Sequence, residues 1–283
     1  MLIQWFPGHM TKTKRMIESH LKAVDVVAEL LDARIPMSSA NPMVEELVQG
    51  KPRIVILNKA DLADPKATDR WISYYQKKNI PVVPMSVGNS KNKKKLLALI
   101  RETAEPMLAK WRKRGIKSRS VRLMILGIPN VGKSTLINFL AGTAATRTAN
   151  TPGHTRGKQW VRLSEGLDLL DTPGVLWPKF DDQVAALRLA ATGAIAGDVF
   201  NADEVVPELL ASLAETAPWV LQEKYDIEDV HQDPQLLLEA AGRRRGCLLS
   251  GGAIDYDRAE MVVLRDFRSG KLGKLTLDPL PEK

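Results

Sequence analysis

Two short stretches carry residue types whose spacing suits a phosphorylated ligand and a purine base. The first, Gly127-Ile128-Pro129-Asn130-Val131-Gly132-Lys133-Ser134, fits the pattern G-x-x-x-x-G-K-[ST]. Glycines let backbone N–H groups curl into a nest around phosphate oxygens, and a helix starting behind the loop adds a favourable dipole. Lys133 would neutralise charge on the β- and γ-phosphates, and the Ser134 hydroxyl would hold Mg²⁺. A glycine turn without a ligand is the other reading of these letters, and the flanks argue against it. Val121–Leu126 is a short apolar run that suits a buried strand, and Thr135–Leu140 suits the first turns of a helix.

The second stretch, Asn58-Lys59-Ala60-Asp61, follows another apolar run, Pro52–Leu57. A carboxylate at Asp61 can accept two parallel hydrogen bonds from guanine, at N1–H and the 2-amino group, where adenine offers neither donor. A site built for that pairing leaves a buried carboxylate unpaired with the wrong base, which disfavours ATP. Asn58 would then lie on the base edge and Lys59 would stack over the ring. Alone, the four letters also fit an ordinary exposed turn. They gain weight from the glycine loop and from Asp171-Thr172-Pro173-Gly174, a D-x-x-G stretch after a further apolar run.

Placing these loops requires an alternation of strands and helices. A short amphipathic helix is expected over Thr11–Lys22, with Met16, Ile17 and Leu21 on one side. Strands follow at Ala23–Leu31, Pro52–Leu57, Ile80–Met85, Val121–Leu126, Gln159–Leu163 and Leu167–Leu170. Helices are expected at Met43–Val48, Ala67–Lys78 and Lys93–Leu108. The pattern predicts an α/β fold with a mostly parallel sheet covered on both faces. From about Asp181 it changes: Val184, Leu187 and Ala191, then Val205, Leu209 and Leu213, then Leu236–Leu238, then Met261, Val262 and Leu264 fall at helical spacing. Two domains are expected, residues 1–178 and an all-helical 179–283.

The formal net charge of +8 in 283 residues points to a polyanionic partner, although solubility alone could account for a milder excess. Cys247 is the only cysteine, so no internal disulfide can form and a cytoplasmic setting is natural. The N-terminus lacks a signal design, and no apolar run approaches membrane-spanning length, so no membrane partner is expected.

In these motifs and their order the chain resembles the circularly permuted GTPases of the YlqF type. The guanine motif Asn58–Asp61 and the loop Ser86-Val87-Gly88 precede the phosphate loop, a switch I threonine and Asp171–Gly174, whereas conventional GTPases run from phosphate loop through the switches to the guanine motif; the opening Trp5-Phe6-Pro7-Gly8-His9-Met10 is also a family signature. The resemblance implies a permuted P-loop GTPase domain followed by a small helical domain. It implies phosphate contacts from Asn130, Val131, Gly132, Lys133, Ser134 and Thr135, and base or sugar contacts at Asn58, Lys59, Asp61, Ser86 and Val87. Mg²⁺ would be held by Ser134 and Thr155, with Asp171 acting through a water, and Gly174 would offer its N–H to the γ-phosphate. Asn130 resembles the residue that holds K⁺ in some GTPases. Ser86-Val87-Gly88 departs from the usual S-A-K form. Val175 stands where many GTPases place a water-orienting glutamine, so His9 becomes the candidate catalytic group; capping the next helix or packing near Trp5 is its other reading.

As partners the resemblance implies the large ribosomal subunit, its rRNA rather than DNA, and ribosomal proteins, with the chain acting as a monomer. A GTPase acting on a signalling or translation partner, and an RNA-binding module holding GTP only as a structural ligand, are the rival classes. Lys91–Lys95 and Lys110–Arg119 suit either solvated helix ends or phosphate-backbone contacts. Arg243-Arg244-Arg245 and Arg265, Arg268, Lys271 and Lys274 form the stronger RNA candidates. Trp111, Trp160, Trp177 and Trp219 read as core or interface residues, and His20, His154 and His231 form no zinc-ligand spacing with Cys247.

Overall fold

A computed structural model describes residues 10–48, 50–116, 119–142, 160–164, 166–170, 182–195 and 200–281. Its centre is a six-stranded sheet built from β1 (Val26–Asp32), β2 (Arg53–Asn58), β3 (Val82–Met85), β4 (Val121–Gly127), β5 (Trp160–Ser164) and β6 (Leu167–Leu170). The spatial order is β3-β2-β1-β4-β6-β5. All neighbours pair in parallel except β5 with β6. Strands β1 and β4 are apolar nearly throughout because both lie inside the sheet with covered faces, as continuous rather than alternating hydrophobic runs imply. The register Leu30↔Gly127 brings β4 against β1 so closely that a Cβ on Gly127 would sit 2.8 Å from the Leu30 carbonyl oxygen.

The first half of the chain supplies α1 (Met10–Leu21), α2 (Pro42–Leu47), α3 (Pro65–Lys77), α4 (Ser90–Lys113) and α5 (Lys133–Ala141). Helix α3 starts where Asp64 accepts a hydrogen bond from the Ala67 N–H and Pro65 opens the first turn. Helix α4 is longer at both ends than the apolar spacing predicts. Asn89 caps it, and its last turn contains Lys110, Arg112 and Lys113, cations that suit the negative end of a helix dipole. Part of the basic run is therefore helix end.

After the sheet every regular helix or strand among the described residues is helical: α6 (Gln183–Thr192), α7 (Ala202–Thr216), α8 (Pro218–Tyr225), α9 (Pro234–Arg244) and α10 (Tyr256–Arg268). Helix α8 was not foreseen, because eight residues are too few to display a periodicity. The helical spacing also misassigns a face. Met261 is exposed, whereas α10 buries Ala259, Val263, Leu264 and Phe267. No helix among the described residues is long and apolar enough to cross a membrane.

The last described stretch returns to the sheet. Leu275 N–H donates to the Leu62 carbonyl (3.0 Å), and Leu277 N–H donates to that of Arg34 (2.8 Å). Between them the Thr276 hydroxyl donates to the Ala33 carbonyl and accepts from the Asp64 N–H, both at 3.3 Å. Asp278 is buried and accepts from Ser38 and Arg188. A short strap thus ties the C-terminal end to the loops that leave β1 and β2.

Candidate nucleotide site

Helix α2 leads from β1 toward β2 on one side, and α5 leads from β4 toward β5 on the other, so the connections part between β1 and β4. The crevice beyond the carboxyl ends of two such strands is where open α/β sheets bind ligands. Both motif loops open there. On the β4 side, Asn130 has φ of 55° and Gly132 φ of 99°. A Cβ on Gly132 would lie 2.5 Å from Asn58 Nδ2, so only glycine fits beneath the neighbouring loop. The Leu136 N–H closes the first turn of α5 on the Gly132 carbonyl at 2.9 Å. No side chain among the described residues caps α5, and Ser134 and Thr135 are exposed in its first turn. Uncapped N–H groups at a helix start suit an anion.

The loop after β2 is gripped by its own protein. Asn58 Nδ2 donates to the Val131 carbonyl at 2.7 Å, so one amide hydrogen expected at the base edge instead joins the two loops. Its Oδ1 is buried with no partner among the described residues, an orphaned acceptor that a ligand N–H could satisfy. Lys59 adopts a left-handed φ of 57°, and its Nζ donates to the Asn130 carbonyl at 3.0 Å. The same Nζ lies 3.0 Å from Asp32 Oδ2. Asp61, beyond them, is exposed. The third loop is fixed by the Ala60 N–H donating to the Met85 carbonyl (3.1 Å) and the Asn89 N–H donating to that of Ser86 (3.2 Å), with Val87 exposed.

Asp32 was not singled out from sequence. Burial pushes its carboxyl group up, but hydrogen bonds and charge from Arg34, together with Lys59, outweigh burial and hold it below the ordinary 3.8. The available signal was an aspartate ending an apolar strand with an arginine two positions on. A second unforeseen contact runs from Asn130 Nδ2 to the Gly193 carbonyl at the end of α6, at 2.8 Å. It uses the donor end of the amide, while a cation such as K⁺ would take the oxygen end, so contact and ion are compatible. His9, Thr155, Asp171 and Gly174 lie outside the described residues.

The basic candidates divide. Arg268 donates to the carbonyls of Ala190 (2.8 Å) and Ala191 (2.9 Å), closing the end of α6. Arg245 pairs with buried Asp266 at 2.6 Å and covers the Tyr225 ring. These two arginines anchor the packing through those contacts, and both still remain exposed on the outer face. Arg243, Arg244, Arg258 and Arg265 are exposed without such anchoring contacts among the described residues, and Arg258 and Arg265 line, together with Arg245 and Arg268, a groove of about 1090 Å³ along α10. Trp111 and Trp160 are half-buried under the guanidinium groups of Arg119 and Arg122. Trp219 is 40% exposed, so it is not a core residue, although its ring closes over Gly273.

A family model described as 50S ribosome-binding GTPase matches residues 122–230, from the phosphate-loop strand into the helical region. The guanine-type loop at 58–61 lies ahead of that stretch, as a permuted order requires. The chain is 45% identical to ribosome biogenesis GTPase A of Bacillus cereus over 282 residues, covering 98% of this chain and 94% of that one. It is 30% identical to the protein of that name from Thermotoga maritima, over 98% and 94% of the two chains. Among solved structures, the GDP-bound structure of TM YlqF superposes with a TM-score of 0.72 at 26% identity, covering 95% of this chain and 100% of that one. The GNP-bound YlqF from T. maritima gives 0.68 at 28% identity over 94% and 97%. With such identity along nearly the whole of both chains, this chain belongs to the ribosome biogenesis GTPase A family and is an enzyme that binds and hydrolyses GTP.

Proposed function

We propose that the chain assists assembly of the large ribosomal subunit in the cytoplasm, grips ribosomal RNA and neighbouring ribosomal proteins as a monomer, and uses GTP hydrolysis as a release or timing switch. Residues 1–178 are the switching domain on this reading, and 179–283 the RNA-gripping one. The observation that carries it is the bond from Asn130 of the phosphate loop to Gly193 at the end of α6, which hangs the helical region on the loop that meets the nucleotide. A change at the phosphates then alters the attachment of α6, and Arg268 passes that change to α10 with its exposed arginines. Phosphate-backbone contact fits the excess positive charge and predicts a steep loss of binding with salt.

Within the nucleotide site, Asp61 selects guanine, Asn58, Lys59, Ser86 and Val87 frame the base, and residues 130–135 cradle the phosphates. Ser134 and Thr155 would hold Mg²⁺, with Asp171 through a water; the ion would neutralise charge between the β- and γ-phosphates. K⁺ beside Asn130 would add a further charge, Gly174 would sense the γ-phosphate, and His9 would orient the attacking water. The deciding experiment is co-sedimentation with large subunits over a salt series, with a non-hydrolysable GTP analogue and with GDP. Retention with the analogue and release with GDP is expected; equal retention with both would end the switch reading. Full ribosome-stimulated turnover in His9→Ala would remove His9 from the chemistry.

A further inference from the structure

Lys59 has both ends fixed before any ligand arrives. Its backbone is pinned in the left-handed region, uncommon for a residue with a Cβ. Its Nζ is shared between the Asn130 carbonyl and Asp32 Oδ2, each at 3.0 Å. The four-carbon stem therefore spans the crevice between the β2 loop and the ends of β1 and β4. A long, flexible side chain held this way offers an apolar bar on which a flat base can lie, with little rotamer freedom left to lose.

Asp32 makes this possible, and its setting is built for it. Its side chain is 2% exposed. Arg34 grips the carboxylate through Nε at 2.9 Å and NH2 at 2.7 Å, while the Arg34 N–H adds a bond at 3.1 Å. The Ser39 hydroxyl accepts from the Asp32 N–H at 3.0 Å. Arg34 is itself buried, stacks on the Phe267 ring of α10 at 5.2 Å, and gives its carbonyl to Leu277 of the strap. One carboxylate thus serves two cations, and Arg34 alone already satisfies it. A second cation beside a neutralised pair has no structural need to be there, and it costs the ammonium part of its hydration.

We infer that Asp32 is a positioning residue for the nucleotide: it holds the Lys59 ammonium so that the lysine stem forms the platform for the base. The inference rests on the guanine reading of the loop at 58–61 and names a residue outside it. Asp32 touches no part of the ligand. It acts through Lys59, and Arg34 with the strap keeps the carboxylate from turning away.

The test is a double-mutant cycle on dissociation of a fluorescent GDP analogue, using Asp32→Asn, Lys59→Met and the double variant, with melting curves to check folding. Each single change should speed dissociation by about tenfold, and the double variant should match Lys59→Met alone, because the two residues act as one unit. A merely structural role for Asp32 predicts the opposite, with effects that multiply in the double variant; that result, or an unchanged rate in Asp32→Asn, overturns the inference. Should Lys59→Met bind GDP like the unaltered protein, the base-loop reading fails and carries the inference down with it. If Asp32→Asn does not fold, the unaltered protein gives the answer by nitrogen NMR of its lysine ammonium groups. A slowly exchanging, hydrogen-bonded Lys59 signal in the nucleotide-free state supports the assignment, and a rapidly exchanging one overturns it.

Discussion

The two loops that meet at the mouth of the crevice are held in opposite ways. In the loop after β2 two polar side chains already hold protein partners: Asn58 through Nδ2 with Val131, Lys59 with Asn130 and Asp32. In the phosphate loop, Asn130 and Val131 offer their backbone carbonyls to that neighbour, and Ser134 and Thr135 stand exposed at an uncapped helix start. The base side is set by protein contacts, while the phosphate side is left for the ligand to complete. A binding site divided like this loses little entropy at the base and draws its state-dependent energy from the phosphates, where GTP and GDP differ.

The sharpest break in that comparison is at Asp61, which is exposed and bound by neither loop. Asp61→Asn should weaken GTP binding by about four orders of magnitude, the scale on which a site built for a hydrogen bond rejects a partner lacking it. Xanthosine triphosphate should recover much of the loss, because its 2-oxo group accepts from the new amide. Competition against a fluorescent nucleotide reads both numbers. Equal affinity for GTP in the variant would place guanine selection elsewhere.

Next in size is the joint between the loops. Asn58→Ala removes the bond to Val131, and losing a buried hydrogen bond costs about 1–3 kcal/mol. Stability in urea and nucleotide dissociation should both suffer, since the residue belongs to both loops. Gly132→Ala should be as harmful, because its new methyl group meets Asn58 Nδ2 at 2.5 Å and its φ of 99° is strained for alanine. Combining the two changes should cost less than their sum, because the clash disappears while the backbone strain remains. Strict additivity would mean that the loops are not packed on each other.

How far the sequence disclosed this depends on the kind of signal. The sheet was legible because β1, β2 and β4 are continuous apolar runs, each stopped by a polar loop, and the motif loops were legible because their chemistry demands fixed letters. Asp32 was not, since its partners lie at Arg34 and Lys59 and only folding brings β2 beside β1. The anchoring of Arg268 was hidden for the same reason. In a linear chain it is one more cation in a basic stretch, and the carbonyls of Ala190 and Ala191 that it caps are 77 and 78 positions away. Helix α8 was hidden by its length, and Met261 by a periodicity that cannot say which face turns inward.

The two fates of arginine give the third prediction. Arg268→Met should cost about 1–3 kcal/mol of stability through lost hydrogen bonds to charge and change the salt dependence of RNA binding less than loss of Arg265 does. Arg265→Met should do the reverse, with stability within about 0.5 kcal/mol as for most surface changes and a salt slope shallower by roughly one phosphate contact. Urea denaturation and filter binding at several salt concentrations separate them. If Arg268 changes the slope and Arg265 does not, the assignment of the two residues is inverted.

The smallest expected effect tests whether the base side is set in advance by charge. Asp32 has a folded pKa below its ordinary 3.8, so the unfolded chain takes up its proton first as pH falls. The stabilisation that this carboxylate supplies is complete above the ordinary value and drains away as pH drops through the folded one. Glu29, Asp278 and Glu260 run the other way: burial raises all three, so their terms favour the folded state in acid and oppose Asp32 in the total. A stability curve of the unaltered protein alone would mix the four. The difference between it and Asp32→Asn isolates one, because Glu29, Asp278 and Glu260 are common to both and cancel. That difference should be flat from neutrality down to about pH 5 and then shrink steadily below it, as the linkage of a single depressed carboxylate requires. A gap that widens in acid would mean that Asp32 is held protonated in the folded protein, and a protonated Asp32 would give Lys59 no charge to lean on.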